Sequence, residues 1–542
     1  MMLTPCARPE LGFDSPLSTI GGRQMADVRL VRTRVSAMPV AGVTSLGLFG
    51  WLIYEWSSQP FYSLVTTFLF APYFANGFVG DALRGQAIWG YAAASAGLAV
   101  AVLSPILGAF ADASGHRKPW IAVSLLLFMA GMCGLWYTDP GHPERLYFII
   151  ASYVLAAVAA EVTAAFVNAL MPGLVEPQHY GSLSGTSAAI GYLGGLLALV
   201  IVAGLLVGEA HTGQTLFGLK PLLPLDAASR QGDRLVGPFC ALWLLVFSLP
   251  MLVFTPDRQV ARPGSGLDGL KQTFAELRHH KDIILFLISR MLFTDGLLTM
   301  FSFGGIYGSA VFGWQAAELG LWGIILIVAA MIGAAIGGVL DDRIGPKAVI
   351  LSALVIALVA AAGVVSIDRT HILFTQEVVE KAAGSSFLAS TAERWFLGFT
   401  VLVGLVTGPL SASSRSLMAR LAPKDRVTQF FGLFALSGKA SSFVAPLLVG
   451  VLTTATGQQR WGVAVVLAFL LAGLVMMPFV RSKRDASEDA AGGDGVSAGA
   501  PAIAPMASGR SRSRPDILGA VIVGALLLAS LTVIVFTGLM GH

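Results

Sequence analysis

Thirteen apolar stretches recur along the 542 residues, near 45–76, 85–111, 119–137, 145–171, 185–208, 237–255, 282–312, 318–340, 347–367, 393–414, 428–453, 461–480 and 516–538. A helix crosses a bilayer in about 20 residues, so each stretch can span one. Hydrophobic residues make up 55% of the chain and charged residues only 12%, about half the share of a soluble protein. The pattern predicts an all-α polytopic membrane protein whose main solvent is the lipid bilayer. The first stretch is too long for an upright helix, and Pro60 and Pro72 predict that it bends or has an extramembrane end.

Charge placement sets the expected orientation. Of the 35 Lys and Arg residues, 24 fall in the N-terminal tail, at 117–118, 258–281, 343–347 and 415–426, and after the twelfth stretch. Basic loops stay in the cytoplasm, which predicts a cytoplasmic N-terminus and, with thirteen spans, an outside C-terminus. The net charge of +4 is small and gives no nucleic-acid signal. Cys6, Cys133 and Cys240 form neither a disulfide framework nor a CxxC metal site, so no metal or cofactor is expected. The first 40 residues hold five arginines but no apolar core, which argues against a cleaved signal peptide. The Ala-, Gly-, Ser- and Pro-rich run after the twelfth stretch reads as a flexible cytoplasmic linker, 482–515, that tethers the extra helix in 516–542.

Two loops repeat each other. GAFADASGHRK carries Gly108, Asp112, Gly115, Arg117 and Lys118; GVLDDRIGPK carries Gly338, Asp342, Gly345 and Lys347. The shared pattern G-x3-D-x2-G-x-[RK] returns after 230 residues, each time between the second and third span of a six-span half. The first glycine lets two helices approach closely. The aspartate is suited to a neighbouring helix N-terminus or a basic partner. The second glycine allows the tight turn, and the basic residue anchors the loop. A plain charged turn without a gating role is the alternative.

These loops make the chain resemble the major facilitator superfamily over roughly residues 44–481. GWLIYEWSSQPFYS (50–63) and SSRSLMARLAPKDRVTQFFGLFALSGKASSFVAPLL (413–448) look like the vacuole-effluxer branch, related to the autophagy-linked amino-acid exporters of fungal vacuoles and their bacterial relatives. Many relatives carry an Asp-Trp-Ala-Asn-Ser-like run in span one; here the acid is Glu55 and the amide is Gln59, longer and one position later. The resemblance implies two six-helix bundles around a central cavity, here 44–256 and 282–481, joined by a cytoplasmic loop at 257–281 and preceded by a tail at 1–43. It also implies alternating access and transport of a small solute, with amino-acid efflux as a candidate activity.

Five ionisable residues lie within the apolar spans: Glu55, Glu161, Arg290, Asp295 and Lys439. A charge at mid-bilayer costs roughly 2.5–3.5 kcal/mol on insertion scales, so each calls for a role. Glu55, Gln59, Tyr62 and Thr66 recur at helical spacing and form a polar stripe. Asp295 and Thr299 lie on one face of span seven, and Glu161 and Asn168 on one face of span four. Such stripes should line a watery cavity. The alternatives are snorkelling of Glu55 to an interface marked by Trp51 and Trp56, and structural ion pairs for the rest. Arg290 and Asp295 are about 140° apart on a helix, so Arg290 is expected to meet Glu55 or Glu161, or to close a gate. Lys439 is expected to pair with Asp295 or to bind a substrate carboxylate. Proton coupling through Glu55, Glu161 or Asp295 follows as an expectation, because a desolvated carboxylate readily takes up a proton.

Other classes fit less well. A membrane hydrolase would want HExxH, a GxSxG elbow or clustered histidines, whereas all eight histidines fall in predicted loops or at the terminus. The expectation is a secondary transporter and not an enzyme. The competing reading is a non-transporting sensor or scaffold that keeps a transporter fold.

Overall fold

The computed structural model describes residues 40, 42–208, 213–226, 229–257, 280–314, 316–381, 387–439, 441, 444–456, 461–462 and 464–481. Nearly all of the tail, most of the loop between the halves, the linker and the thirteenth span lie outside them.

Thr44 opens the first helix, its Oγ1 accepting from the Gly47 N–H at 3.1 Å, and α1 runs Ser45–Pro60. Beyond Pro60 the α ladder gives way to a π-helical stretch Phe61–Phe68, a short turn Phe70–Tyr73 and a second π stretch Phe74–Phe78. Proline lacks the N–H that an α ladder needs, which explains why the long first span is not one straight helix. The Tyr62 carbonyl accepts from the hydroxyls of both Thr66 and Thr67, at 2.6 and 2.9 Å.

The remaining helices of the first half are α2 (Ala82–Ser114), α3 (Lys118–Gly134), α4 (Leu146–Leu170), α5 (Tyr180–Ile201) and α6 (Gln231–Phe254). The second half holds α7 (Lys281–Phe312), α8 (Ala316–Ile344), α9 (Pro346–Val365), α10 (Thr391–Leu421), α11 (Val427–Ser437), a continuing helix Val444–Thr456, and α12 (Val465–Met476). Among the described residues, nine helices are long and apolar enough to cross a membrane. Span eleven, expected as one helix over 428–453, is instead interrupted between Ser437 and Val444. A two-stranded antiparallel hairpin, His371–Ile372 with Gln376–Glu377, sits in the loop between α9 and α10.

The halves repeat each other beyond the two loops. Tyr73, near the end of the first span, donates its hydroxyl to the Thr138 carbonyl just after α3. Tyr307, near the end of α7, does the same to the Ile367 carbonyl just after α9. Lipid offers no hydrophobic drive between helices, so close contact of small residues holds such bundles together. On α5, Gly191, Gly194 and Gly195 face the first span; a Cβ at Gly194 would lie 2.9 Å from Trp56, and one at Gly195 2.5 Å from the Ser63 hydroxyl. The Trp56 ring lies against Gly194 and also stacks on Trp243 of α6 at 5.6 Å, and Trp243 Nε1 donates to the Trp56 carbonyl at 3.1 Å. Span one is thus held from two sides, and this sets the direction of Glu55. Between the halves, α2 packs on α11 and α5 packs on α8 and α10.

Candidate functional site

The ion pairs within the spans link the two halves. Glu55 Oε1 on α1 lies 2.8 Å from Arg415 Nη1 on α10, and Glu161 Oε1 on α4 lies 3.1 Å from Lys439 Nζ just past α11. Tyr62 adds a hydroxyl that donates to Glu161 Oε1 at 3.5 Å. The Glu55–Arg415 contact is close but its N–H is not aligned on the oxygen, so it is a charge contact rather than a directed hydrogen bond. Side-chain exposure is 20% for both glutamates and 35% for Lys439, whereas neighbouring Tyr54, Phe61 and Phe434 are buried. Measured along their helices at 1.5 Å per residue, Glu55 and Glu161 both lie about 14–15 Å from the end of the molecule that bears the two repeated loops, roughly half a bilayer.

Arg415 is the residue that the sequence pattern misplaced. The tenth span was expected to stop at residue 414, with Arg415 in a basic loop. The structure carries α10 on to Leu421, two residues before Pro423, and leaves Arg415 buried. Two further expectations about partners are corrected. Arg290 forms no direct ion pair with Glu55 or Glu161, although the Glu161 charge acts on it from nearby: its Nη1 donates to the Phe434 carbonyl at 2.8 Å and to Ser437 Oγ at 2.7 Å, with the guanidinium over the Phe434 ring. It caps the last turn of α11, where unpaired carbonyls favour a cation. Lys439 reaches across to Glu161, not to Asp295 in its own half. Asp295 instead accepts from the Ser441 hydroxyl. Thr299 is buried one turn further along α7. Gln59 is half-buried against Gly195. Asn168 lies about 10 Å along α4 from Glu161 and apart from the ion pairs. Trp51 is no interface anchor: it is buried, and its Nε1 donates to the Val167 carbonyl at 2.8 Å.

The repeated loops close one end of the molecule by the same device used twice. Asp112, from the first half, accepts from the N–H groups of Thr428 and Gln429, the second and third residues of α11, at 3.3 and 2.9 Å. Asp342, from the second half, accepts from Gly181 and Ser182, the second and third residues of α5, at 2.8 and 3.0 Å. Each aspartate therefore caps, across the interface, a helix whose first N–H groups have no partner of their own. Arg117 adds its guanidinium to Asp112 at 3.2 Å and to Thr428 Oγ1 at 2.6 Å. Asp257 takes the N–H groups of Arg117 and Lys118 at 2.7 and 2.9 Å. Asp341 faces Arg420 Nη2 at 3.1 Å and Ser416 Oγ at 3.2 Å. Lys347 donates to the Pro478 carbonyl at 2.9 Å. Gly115 and Gly345 turn the chain at φ 74° and 91°, where a side chain is strained. Gly108 lies against Thr428 and Gln429, and Gly338 against Gly181 and Gly185, with no room for a Cβ.

Among the described residues, no group of three or more His, Cys, Asp or Glu is placed to hold a metal ion. The arrangement is two bundles sealed at one end, with two acid–base pairs bridging them halfway through the membrane. It can exchange a partner charge for a solute charge or a proton.

Comparison with known proteins bears on the family and the fold. The family model described as "Vacuole effluxer Atg22 like" matches residues 77–490. The chain is 24% identical over 442 residues to an uncharacterized MFS-type transporter, YxiO, of Bacillus subtilis, covering 79% of this chain and 94% of that one. It is 28% identical over 327 residues to autophagy-related protein 22-1 of Aspergillus niger, covering 56% of this chain but only 48% of the fungal protein. The chain thus spans about half the length of that relative. Among solved structures it resembles the major-facilitator transporter FucP in the outward conformation (TM-score 0.59, 14% identity, 80% of this chain and 98% of that one). It also resembles a bacterial homologue of the iron transporter ferroportin in its outward-facing state (TM-score 0.58, 18% identity, the same coverage). These two likenesses speak to fold alone.

Proposed function

The chain belongs to the Atg22-like vacuole-effluxer family and is a multi-pass membrane transporter of the major-facilitator fold, and we propose that it moves a zwitterionic small solute of the amino-acid class by alternating access, coupled to protons and in the direction of efflux. The observation that carries this reading is the pair of bridges Glu55–Arg415 and Glu161–Lys439, each with its acid on one half and its base on the other. A zwitterion brings one carboxylate and one ammonium group. Its carboxylate suits Lys439 or Arg415, and its ammonium suits Glu161 or Glu55. Binding then replaces contacts between the halves with contacts to solute, which is what frees the halves to rock.

Proton coupling uses the same acids. A proton on Glu161 releases Lys439, and a proton on Glu55 releases Arg415, so protonation and solute binding act on the same two bridges. We place the sealed end, with its basic loops, in the cytoplasm and the protein in the plasma membrane of a bacterium. On that placement the structure is closed toward the cytoplasm.

Uptake of labelled amino acids into proteoliposomes tests the reading against Lys439→Gln and Glu161→Gln. Loss of uptake in both variants, with the proteins folded and inserted, is the expected result. Full uptake in both would remove these residues from the solute path.

A further inference from the structure

We infer that Asp295, Thr299 and Ser441 form a binding site for a small monovalent cation of the size and hardness of Na⁺, at the interruption of span eleven. The inference stands apart from the transport reading, because it concerns binding and not flux.

Asp295 and Thr299 are each 1% exposed. They are four residues apart on α7 and share a face. One carboxylate oxygen of Asp295 accepts from Ser441 Oγ. The other, Oδ1, has no hydrogen-bond partner among the described residues, and neither has Thr299 Oγ1. The neighbouring cations make their direct contacts elsewhere, Arg290 with Phe434 and Ser437, Lys439 with Glu161 and Arg415 with Glu55, and the Arg290 charge acts on Asp295 only from a distance, without a hydrogen bond. An ionised carboxylate this deeply buried is costly unless a positive charge meets it.

The backbone supplies the second half of the argument. α11 ends at Ser437 and the next helix opens at Val444, whose N–H bonds the Ser441 carbonyl at 2.8 Å. A helix broken within the membrane leaves polar groups pointing inward, and transporters place ions at such breaks. Here the break lies beside the buried carboxylate, joined to it through Ser441.

The donor set selects the ion. All three side chains offer oxygen, and none offers nitrogen or sulfur, which favours a hard cation over a transition metal. A single carboxylate balances one positive charge, whereas Ca²⁺ sites gather several. A proton on Asp295 is the competing occupant, and it takes one oxygen as its bond, whereas a cation draws on lone pairs of Asp295 and Thr299 together.

The test reads thermal stability of the full chain in detergent, with NaCl exchanged for choline chloride at constant ionic strength. Wild type should gain Tm saturably with Na⁺, as any ligand of the folded state requires. Asp295→Asn should lose that gain. Thr299→Val should need roughly tenfold more Na⁺ for the same gain, the equivalent of about 1.4 kcal/mol; it serves alone if Asp295→Asn does not fold. Equal Tm in Na⁺ and choline for wild type would overturn the proposal. So would an undiminished Na⁺ gain in both variants. A Tm that follows pH but not Na⁺, with the pH response lost in Asp295→Asn, would overturn it in favour of a bound proton.

Discussion

Glu55 Oε1 and Arg415 Nη1 meet at 2.8 Å although 360 residues separate them, one on the first span and the other on the tenth. The contact joins the two halves, and both partners are largely removed from water. Removing one partner of a buried charge pair leaves the other uncompensated, at a cost of about 3–5 kcal/mol. Glu55→Gln and Arg415→Gln should therefore each reduce transport by roughly tenfold or more, and the exchange Glu55→Arg with Arg415→Glu should recover part of it. Initial rates in proteoliposomes check this. Two independent losses with no recovery in the exchange would show that the residues do not act as a pair.

The Glu161–Lys439 bridge separates solute binding from proton movement. Lys439→Gln should raise the solute KM, since it removes the more exposed of the two bases. Glu161→Gln should flatten the pH dependence of transport, because an amide cannot exchange a proton. Rates measured across a pH series in both variants check this. Unchanged pH dependence in Glu55→Gln, Glu161→Gln and Asp295→Asn alike would rule out proton coupling through these acids.

At the sealed end, Asp112 and Asp342 cap helices across the interface. Losing such a cap costs about 1 kcal/mol, up to about 2. Asp112→Ala with Asp342→Ala should shift the population toward opening at that end by roughly 2–4 kcal/mol if the two caps add. Spin-label distances between the start of α5 and the end of α8 report the shift. Unchanged distances in the double variant would mean that the capping contacts do not hold the seal.

Much of this was readable in advance. The repeated loops were legible because their glycines and aspartates serve one local geometry each: a turn, a close approach, a capped helix. The bend in span one was legible because Pro60 acts on its own ladder. What escaped depends on distance in the fold or on helices that run past their apolar stretch. Arg415 reads as the first residue of a basic loop, and only Pro423 hints that α10 continues beyond it. Lys439 could be seen to need an anion, but which of three acids it meets is set by how α4 crosses α11, 278 residues away in the chain. The interruption after Ser437 falls on Ser437-Gly438-Lys439-Ala440-Ser441-Ser442, a polar, glycine-bearing run that a window of about 20 apolar residues averages away against its flanks.

Packing of span one on α5 gives a prediction about position rather than charge. Gly195→Leu would drive a side chain into Gln59 and Ser63, and overpacking of this kind costs about 1–3 kcal/mol. Transport should fall sharply while helix content by circular dichroism stays the same. Retained transport would mean that span one, and Glu55 with it, tolerates displacement.

At the opposite end, Glu393 is fully buried. It forms a capping box with Ser390 and accepts from Trp314 Nε1 and Lys381 Nζ, both at 2.7 Å. Glu393→Ala removes the acceptor of four donors, Trp314 Nε1, Lys381 Nζ and the N–H and hydroxyl of Ser390, each costing about 1–3 kcal/mol if left buried and unpaired. Tm in detergent should drop clearly, with solute affinity unchanged in whatever protein stays folded. An unaltered Tm would contradict this structural role.

Counterflow tests the central claim most directly. Proteoliposomes loaded with excess unlabelled amino acids are exposed to labelled amino acids outside, with no ion gradient. Transient accumulation of label in wild type, absent in Lys439→Gln, is the predicted result, since exchange requires a carrier whose site faces each side in turn. No accumulation by folded, inserted wild-type protein would contradict the account.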